Sequence, residues 1–214
     1  MTILRRHWTK INILFLIICI LGTFLYIDIF LAFNVKSAAT VLSISRIDHF
    51  FIVYLFAVYL HFFHVYLNIS KRKWLIYAAY AYAFVLMCLT PTSLYIVSVQ
   101  QHFFGYFAKA GILFPLFDAA SLFVNIYVLI LIFQAILTAK SNTRKNKLKY
   151  VFAGFGIMGL MNALDVFPLH GYSVYPPGNA SFIPLIVFAV GIYKHDLLDT
   201  GVLIKKGIIY SLLT

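Results

Sequence analysis

Six apolar runs, with short basic clusters at alternate ends, constrain this chain more than any other feature of its sequence. Apolar residues make up 63% of the chain and charged residues 11%, whereas about a quarter of the residues in a soluble domain are charged. A helix that crosses a membrane needs about 20 mostly apolar residues. Five runs supply that length, and the last is shorter and contains Pro184. The predicted spans are about 11–33, 47–69, 74–97, 117–139, 149–168 and 179–194.

The distribution of Lys and Arg predicts the orientation of these spans. Of the 17 basic residues, 14 fall on one side, and only Lys36, Arg46 and Lys109 fall on the other. Short basic loops resist translocation, so both termini are expected in the cytoplasm. The sequence therefore predicts an all-α fold, a polytopic membrane helix bundle of about six transmembrane helices with an N-in, C-in orientation. The 14 residues are Arg5, Arg6, Lys10, Lys71, Arg72, Lys73, Lys140, Arg144, Lys145, Lys147, Lys149, Lys194, Lys205 and Lys206.

Composition argues against several classes of function. The net charge of +11 is concentrated in clusters that flank spans, so the lipid bilayer is the expected partner and nucleic acid is not. Cys19 and Cys88 lie inside apolar runs without a Cys-x-x-Cys pair, so neither a disulfide framework nor a metal site is indicated. The connections are too short for a catalytic domain, and no catalytic motif is present. We expect neither an enzyme nor a cofactor.

The acidic residues suggest a polar layer at one end of the bundle. All six are Asp, and four lie near the predicted outer ends of spans. A carboxylate in hydrocarbon is costly unless it faces water, a partner or the bundle interior, so this layer predicts an outward-facing vestibule, with Asn125 and Asn162 on its floor. The alternative is that each carboxylate caps a helix end at the interface. The four residues are Asp28, Asp48, Asp118 and Asp165.

Histidines offer two further possibilities. His61 and His64 are three apart and share a helix face. They could ligate a metal or sit near a haem, but polar packing against neighbouring helices is the favoured interpretation, because no other span carries a histidine at that depth. On the outer side, His49, His102 and His170 could join the Asp layer in a metal or pH-responsive site.

Aromatic residues and glycines complete the pattern. Tyr172 and Tyr175 lie on an outer loop beside His170, where they could contact a small ligand or belong to the interfacial aromatic belt. The segment 98–116 is aromatic and apolar, which predicts an interfacial or partly re-entrant lid. The glycines at 154, 156 and 159 have the spacing of a close helix contact.

The segment from about 147 to the end contains Asp165, the turn Tyr175-Pro176-x-Gly178 and a basic exit at Lys194. With these features it resembles the last two spans and exit of the N-terminal seven-helix sensor region of bacterial histidine kinases and related cyclase-type receptors. A basic loop leads into a span that ends near an Asp, followed by a Tyr-Pro-x-Gly turn, a closing span and a basic exit. The stretch LHFFHVYLNISKRKW resembles a second part of that family, at His61, Phe62 and 71–74. The matching residues of the last part are Asp165, Pro168, Gly171, Tyr175, Pro176, Gly178, Tyr193, Lys194, His195, Leu197, Leu198 and Asp199.

The resemblance implies a membrane sensory input module, multi-pass in the bacterial inner membrane. Residues 1–200 would form the sensor bundle and 201–214 the start of a linker to a kinase or cyclase domain that this chain lacks, with a homodimer as a possible state. The family has seven spans where we predict six, and Pro177 stands where an aliphatic residue is usual. A small transporter or ion-translocating protein is the alternative, and a membrane redox protein is a weaker one. The expected residues for an unknown small ligand are Asp118, Asp165, Asn162, His170, Tyr172 and Tyr175.

Overall fold

A computed structural model describes residues 9–180 and 182–195. It is 74% helical, which confirms a predominantly helical protein. The predicted linker 201–214, together with the basic residues Arg5, Arg6, Lys205 and Lys206, lies outside the described residues.

The described chain consists of eight α-helices, one 3-10 turn and one β-hairpin. In order they are α1 (Lys10–Asn34), α2 (Ala38–Ile52), α3 (Leu55–Tyr66), α4 (Lys73–Leu89), β1 (Ile96–His102), β2 (Gly105–Ala110), α5 (Phe114–Thr138), α6 (Asn142–Leu164), α7 (Val166–Leu169), the 3-10 turn Pro177–Ala180 and α8 (Phe182–His195).

Within the described part, four helical segments are long and apolar enough to cross a membrane: Lys10–Asn34, Ala38–Tyr66, Phe114–Thr138 and Asn142–Leu169. They match the first, second, fourth and fifth predicted spans. The other two predicted spans correspond to the shorter helices α4, of 17 residues, and α8, of 14 residues. A membrane helix bundle is thus supported, while the number of six crossings and their orientation stay predictions.

The second span is interrupted. The pair Val53–Tyr54 separates α2 from α3, and the Tyr54 N–H donates to the Phe51 carbonyl, three residues back, at 3.1 Å. The hydrogen bonds return to the four-residue spacing of an α-helix at Val58, whose N–H donates to the Tyr54 carbonyl at 3.0 Å. The interruption lies only one turn beyond Asp48 and His49, so it falls next to the most polar part of this span.

The hairpin corrects the prediction of an all-α fold, and it forms most of the segment 98–116, whose interfacial position stays a prediction. Strands β1 and β2 pair antiparallel from Ile96↔Ala110 to His102↔Gly105. Helix α4 ends at Leu89, and Thr90 still has helical backbone geometry, but Pro91 has no N–H to continue the helical hydrogen bonds. Gly105 has φ +131° at the tip, and a Cβ there would come within 2.8 Å of Phe33 Cα. Glycine is therefore needed both for the turn and for its close approach to α1.

Contacts divide the chain into two compact units. The first comprises the described residues up to Val124 together with Asp165–Pro176, and the second comprises Asn125–Leu164 and the described residues from Pro177 onward. In the first unit, α1 packs on α2 and α3, α3 packs on α4, and the hairpin packs on α1, α2 and α7. In the second unit, α6 packs on α8 and on the 3-10 turn.

Many large apolar side chains lie on the outside of each unit. Phe30 is 66% exposed, Phe123 67% and Leu137 67%. Trp74, which follows Lys71, Arg72 and Lys73 in the sequence, is 66% exposed. Water would penalise such a surface, whereas hydrocarbon does not. The exposed residues therefore agree with the composition in favouring a membrane environment.

Candidate functional site

Two buried carboxyl groups meet inside the first unit. Asp28 on α1 and Asp48 on α2 are each only 7% exposed. The Ser45 hydroxyl donates to Asp28 Oδ1 at 2.8 Å, and the two carboxyl groups are close enough to interact electrostatically. Asp48 Oδ2 is buried and has no hydrogen-bond partner among the described residues. Because such burial is costly, this carboxylate pair is unusual for a purely structural element.

The turn between α1 and α2 positions the pair. Val35–Ser37 is the whole connection, and the Ser37 hydroxyl caps α2 by accepting from the Thr40 N–H at 3.4 Å. When two antiparallel helices are joined by such a short turn, residues at the same distance from the turn lie opposite each other. Asp28 and Ser45 stand about two turns from it on their respective helices, so the short connection dictates their hydrogen bond.

His49 connects the carboxylate pair to a second polar group. Its Nδ1 lies 2.8 Å from the Ser45 carbonyl oxygen. Its ring lies 5.9 Å from the ring of Tyr95 and 5.7 Å from that of Phe114, measured between centroids. The imidazole is 6% exposed, so it joins these groups in the interior of the first unit.

Tyr95 stands at the base of the hairpin, just before β1. Its N–H donates to the Thr92 carbonyl at 3.2 Å, and its carbonyl accepts from the Gly111 N–H at 2.8 Å. These bonds lie on either side of the hairpin and fix Tyr95 beside the start of α5. The side chain is fully buried, and its hydroxyl has no partner among the described residues. A buried hydroxyl without a partner is expensive, so it points to a group that completes the site.

Asp118 and Ser121 supply two more oxygens of the same kind. They are three residues apart on α5 and share a helix face. Asp118 Oδ2 and the Ser121 hydroxyl are both buried without a hydrogen-bond partner in the part of the chain that the structure describes. Burial raises the pKa of Tyr95 most, and the charge of Asp118 and, to a smaller extent, that of Tyr82 raise this pKa further. The phenol is therefore a neutral hydrogen-bonding group at neutral pH. We call Tyr95, Asp118 and Ser121 the hairpin-base site.

The hairpin and residues 165–176 form a cap at this end of the first unit. Gln100 Nε2 donates to the Gly171 carbonyl at 3.5 Å, and Ser173 Oγ lies 3.4 Å from His102 Nδ1. The ring of Tyr175 lies 5.5 Å from that of Phe104. The cap is tied to α2 by the Arg46 guanidinium, which donates to the Ile96 carbonyl at 2.8 Å. The hairpin, which forms most of the predicted lid segment, thus packs on residues 165–176, and its role as a lid stays a prediction.

The six predicted ligand residues have different surroundings. Asp118 belongs to the hairpin-base site, and His170 is close enough to interact with it electrostatically. Asp165 lies at the N-cap position of α7. Tyr172 is 62% exposed beside Phe167, with ring centroids 6.0 Å apart, while Tyr175 packs within the cap. Asn162 is exposed on α6 and belongs to the second unit. Binding by these residues stays a prediction.

Ser45, Tyr95 and Ser121 were not predicted. Ser45 and Ser121 each lie three residues from an Asp on the same helix, so the spacing Ser-x-x-Asp or Asp-x-x-Ser could have identified them. No sequence pattern distinguishes Tyr95 from the other 14 tyrosines. Its position depends on the hairpin that the sequence analysis did not anticipate.

His61 and His170 each have a hydrogen-bond partner within the protein. His61 Nδ1 lies 3.3 Å from the Tyr80 hydroxyl of α4, which confirms the predicted polar packing between helices. His170 Nδ1 lies 2.9 Å from the Val166 carbonyl oxygen in its own short helix. Across residues 9–180 and 182–195, no three His, Cys, Asp or Glu side chains are grouped so that they could hold a metal ion.

We predict that acid loosens the cap through His102. The ring is 7% exposed and stacks on Phe104 at 4.9 Å, and burial lowers the pKa of His102. Because its pKa in the unfolded state is about 6.5, folding stability from this residue is complete well above that pH and falls as the pH drops through it. Hydrogen exchange of residues 96–110, corrected for intrinsic rates, should show less protection at pH 5.5 than at pH 7.5.

The matched variant is His102→Gln, which removes the titrating group but keeps a polar side chain. Its hairpin should show a smaller difference in protection between the two pH values. An unchanged difference in the variant would assign the effect to other groups and contradict the prediction.

No protein-family model, no curated protein and no solved structure matches this chain. The resemblance of its C-terminal third to a sensor family therefore stays a prediction, and function is argued from residues and geometry.

Proposed function

We propose that this chain is the membrane sensory input module of a signal-transduction receptor, which binds a small ligand at the hairpin-base site. The supporting observation is the group of buried oxygens without protein partners on Tyr95, Asp118 and Ser121. Buried polar groups in a native protein normally have partners, so these favour a bound water cluster or ligand. The resemblance of 147–200 to bacterial sensor regions favours a receptor among the proteins that would use such a site.

The position of the site on α5 suggests how occupancy becomes movement. Asp118 and Ser121 lie in the first two turns of a helix that continues unbroken to Thr138. A ligand held between this helix and Tyr95 stabilises one spacing of the two elements. It shifts the conformational equilibrium only by its difference in affinity for the two states. A displacement at Asp118 is then carried along a rigid helix of 25 residues.

The receptor proposal is tested with Asp118→Asn, a variant of nearly unchanged shape that removes the negative charge. In a host strain that carries the full reading frame, we expect it to abolish the response of a discrete set of transcripts while the membrane level of the protein stays normal. RNA sequencing after shifts of growth medium and pH is the measurement. Ser43→Ala, on an exposed part of α2, serves as the control. Identical transcript profiles for wild type and Asp118→Asn would contradict the proposal.

A small transporter is the second candidate, and one structural observation favours it. The interruption at Val53–Tyr54 lies next to Asp48, and transporters often place coupling-ion sites where a membrane helix is broken. In that case the same variants would alter the cellular content of a solute without a discrete transcript response. Metabolite profiles taken from the same cultures distinguish the two functions.

A further inference from the structure

We infer that the ligand of the hairpin-base site is a small primary ammonium ion. Its three N–H groups donate hydrogen bonds to the oxygens of Tyr95, Asp118 and Ser121. This inference deepens the proposed function, because it names the chemical class of the ligand at the same site.

The number and type of the oxygens at the hairpin-base site favour an ammonium ion. The three buried atoms without partners are a phenol oxygen, a carboxylate oxygen and an aliphatic hydroxyl oxygen. Each of them can accept a hydrogen bond. A primary ammonium group offers three N–H donors and no acceptor, so it can donate one hydrogen bond to each of the three oxygens. An anionic ligand would instead meet the Asp118 carboxylate.

The negative charge of Asp118 favours a cationic ligand. Asp118 is the acidic residue of this site and interacts electrostatically with His170, whereas Asp48 interacts with Asp28 and His49. Arg46, the nearest basic residue of α2, donates to the Ile96 carbonyl of the cap. Hydrogen bonds from a cationic donor to a carboxylate are about twice as strong as those between neutral groups. The carboxylate therefore favours a cationic ligand over a neutral alcohol or amide.

The aromatic rings around the hairpin-base site favour an organic cation over a metal ion. The rings of Tyr95 and Phe114 lie 4.9 Å apart, and Phe114 contacts Phe117 at 5.8 Å. Phe117 in turn lies 6.1 Å from Phe56 of α3. Aromatic faces attract organic cations and also accommodate their carbon atoms. An alkylammonium ion satisfies both the oxygens and the rings, whereas a hydrated metal ion satisfies only the oxygens.

Access is consistent with a ligand that arrives from water. Asp118 stands only about one turn inside the start of α5, beside the base of the hairpin. A charged amine therefore does not have to cross the hydrocarbon region, where an ion is costly.

The experiment uses the full chain in lipid nanodiscs, with ethylammonium chloride as the probe. Thermal unfolding at increasing probe concentration should show a saturable increase in Tm. Ethanol tests a neutral molecule of similar size, and NaCl tests both ionic strength and an alkali ion. Tetramethylammonium tests a cation without N–H groups. All three should stabilise the protein far less than ethylammonium does.

Variants assign the binding to the three oxygens. Asp118→Asn should weaken ethylammonium binding roughly thirtyfold or more, and Tyr95→Phe or Ser121→Ala roughly tenfold each. Tyr77→Phe and Ser43→Ala, at exposed positions, are the matched controls and should bind like the wild type. Tyr95→Phe keeps the buried ring, so the test remains valid if Asp118→Asn does not fold.

Three results would overturn the inference: no saturable effect of ethylammonium, equal stabilisation by NaCl or tetramethylammonium, or unchanged affinity in all three site variants. The first would mean that water alone occupies the oxygens. If ethylammonium binds but host transcripts do not depend on Asp118, the receptor proposal fails and the ammonium site stands. If transcripts depend on Asp118 without ethylammonium binding, the ammonium inference fails and the receptor proposal stands.

Discussion

Tyr95→Ala should lower the free energy of unfolding by about 3 kcal/mol or more, while Tyr95→Phe should change it by no more than about 1 kcal/mol. The ring of Tyr95 is fully buried and packs on Phe114 and His49. Its removal leaves a cavity at the junction of the hairpin and α5. The hydroxyl has no partner among the described residues, so its loss breaks no hydrogen bond within the protein.

Titration with SDS in bicelles, followed by circular dichroism, measures both variants under the same conditions. Tyr77→Ala is the control for tyrosine truncation, because Tyr77 is 73% exposed on α4. Equal destabilisation by Tyr95→Phe and Tyr95→Ala would show that the hydroxyl is strongly bonded in the empty protein. That result would remove the argument for an incomplete site.

Gly154→Ala should destabilise the second unit by about 1–3 kcal/mol, whereas Gly156→Ala should be neutral or stabilising by up to about 1 kcal/mol. A Cβ at Gly154 would lie 2.7 Å from Cε1 and Cζ of Phe188 on α8. The nearest atom to a Cβ at Gly156 is Leu129 Cδ2, at an ordinary 3.8 Å. The two variants add the same methyl group to the same helix, so their difference isolates the contact with α8.

A double-mutant cycle confirms the assignment. The cost of Gly154→Ala should largely disappear when Phe188 is replaced by Ala, since the methyl group then has room. SDS titration of the single and double variants provides the four free energies. An additive cycle, or Gly156→Ala being the more destabilising variant, would contradict a close α6–α8 contact at Gly154.

Much of the helical framework was predictable because apolar length alone determines it. The predicted span 11–33 corresponds to α1, and 117–139 corresponds closely to α5. The glycine contact was also predicted, and the structure confirms it at Gly154, beside Phe188, and at Gly159, which directly contacts the Asn125 side chain. The spacing of the glycines identified the face of α6 that makes the contact. It could not identify the residues packed against that face, because the spacing describes only one helix.

The hairpin and the site were predictable only in part. The alternation in 96–110 is blurred by apolar residues on both faces of each strand, so it resembles an interfacial segment as much as a hairpin. Asp28, Asp48, Asp118 and Asp165 were predicted to form a polar layer, and the structure brings Asp28 and Asp48 together. The sequence could not show that Ser45 donates to Asp28, or that Tyr95 is close enough to Asp118 to interact electrostatically, because both pairings depend on the tertiary packing of distant segments.

The three-residue turn between α1 and α2 has a consequence for biogenesis. Helices α2 and α3, with 15 and 12 residues, are each too short to cross the bilayer alone. Helix α2 also carries Arg46 and Asp48, which a translocon would admit to lipid only at a cost of a few kcal/mol each. The apolar α1 leaves the ribosome first and presents Asp28 to Ser45. We therefore expect the nascent chain to enter the membrane as a helical pair, in which α1 shields the polar face of α2 from lipid.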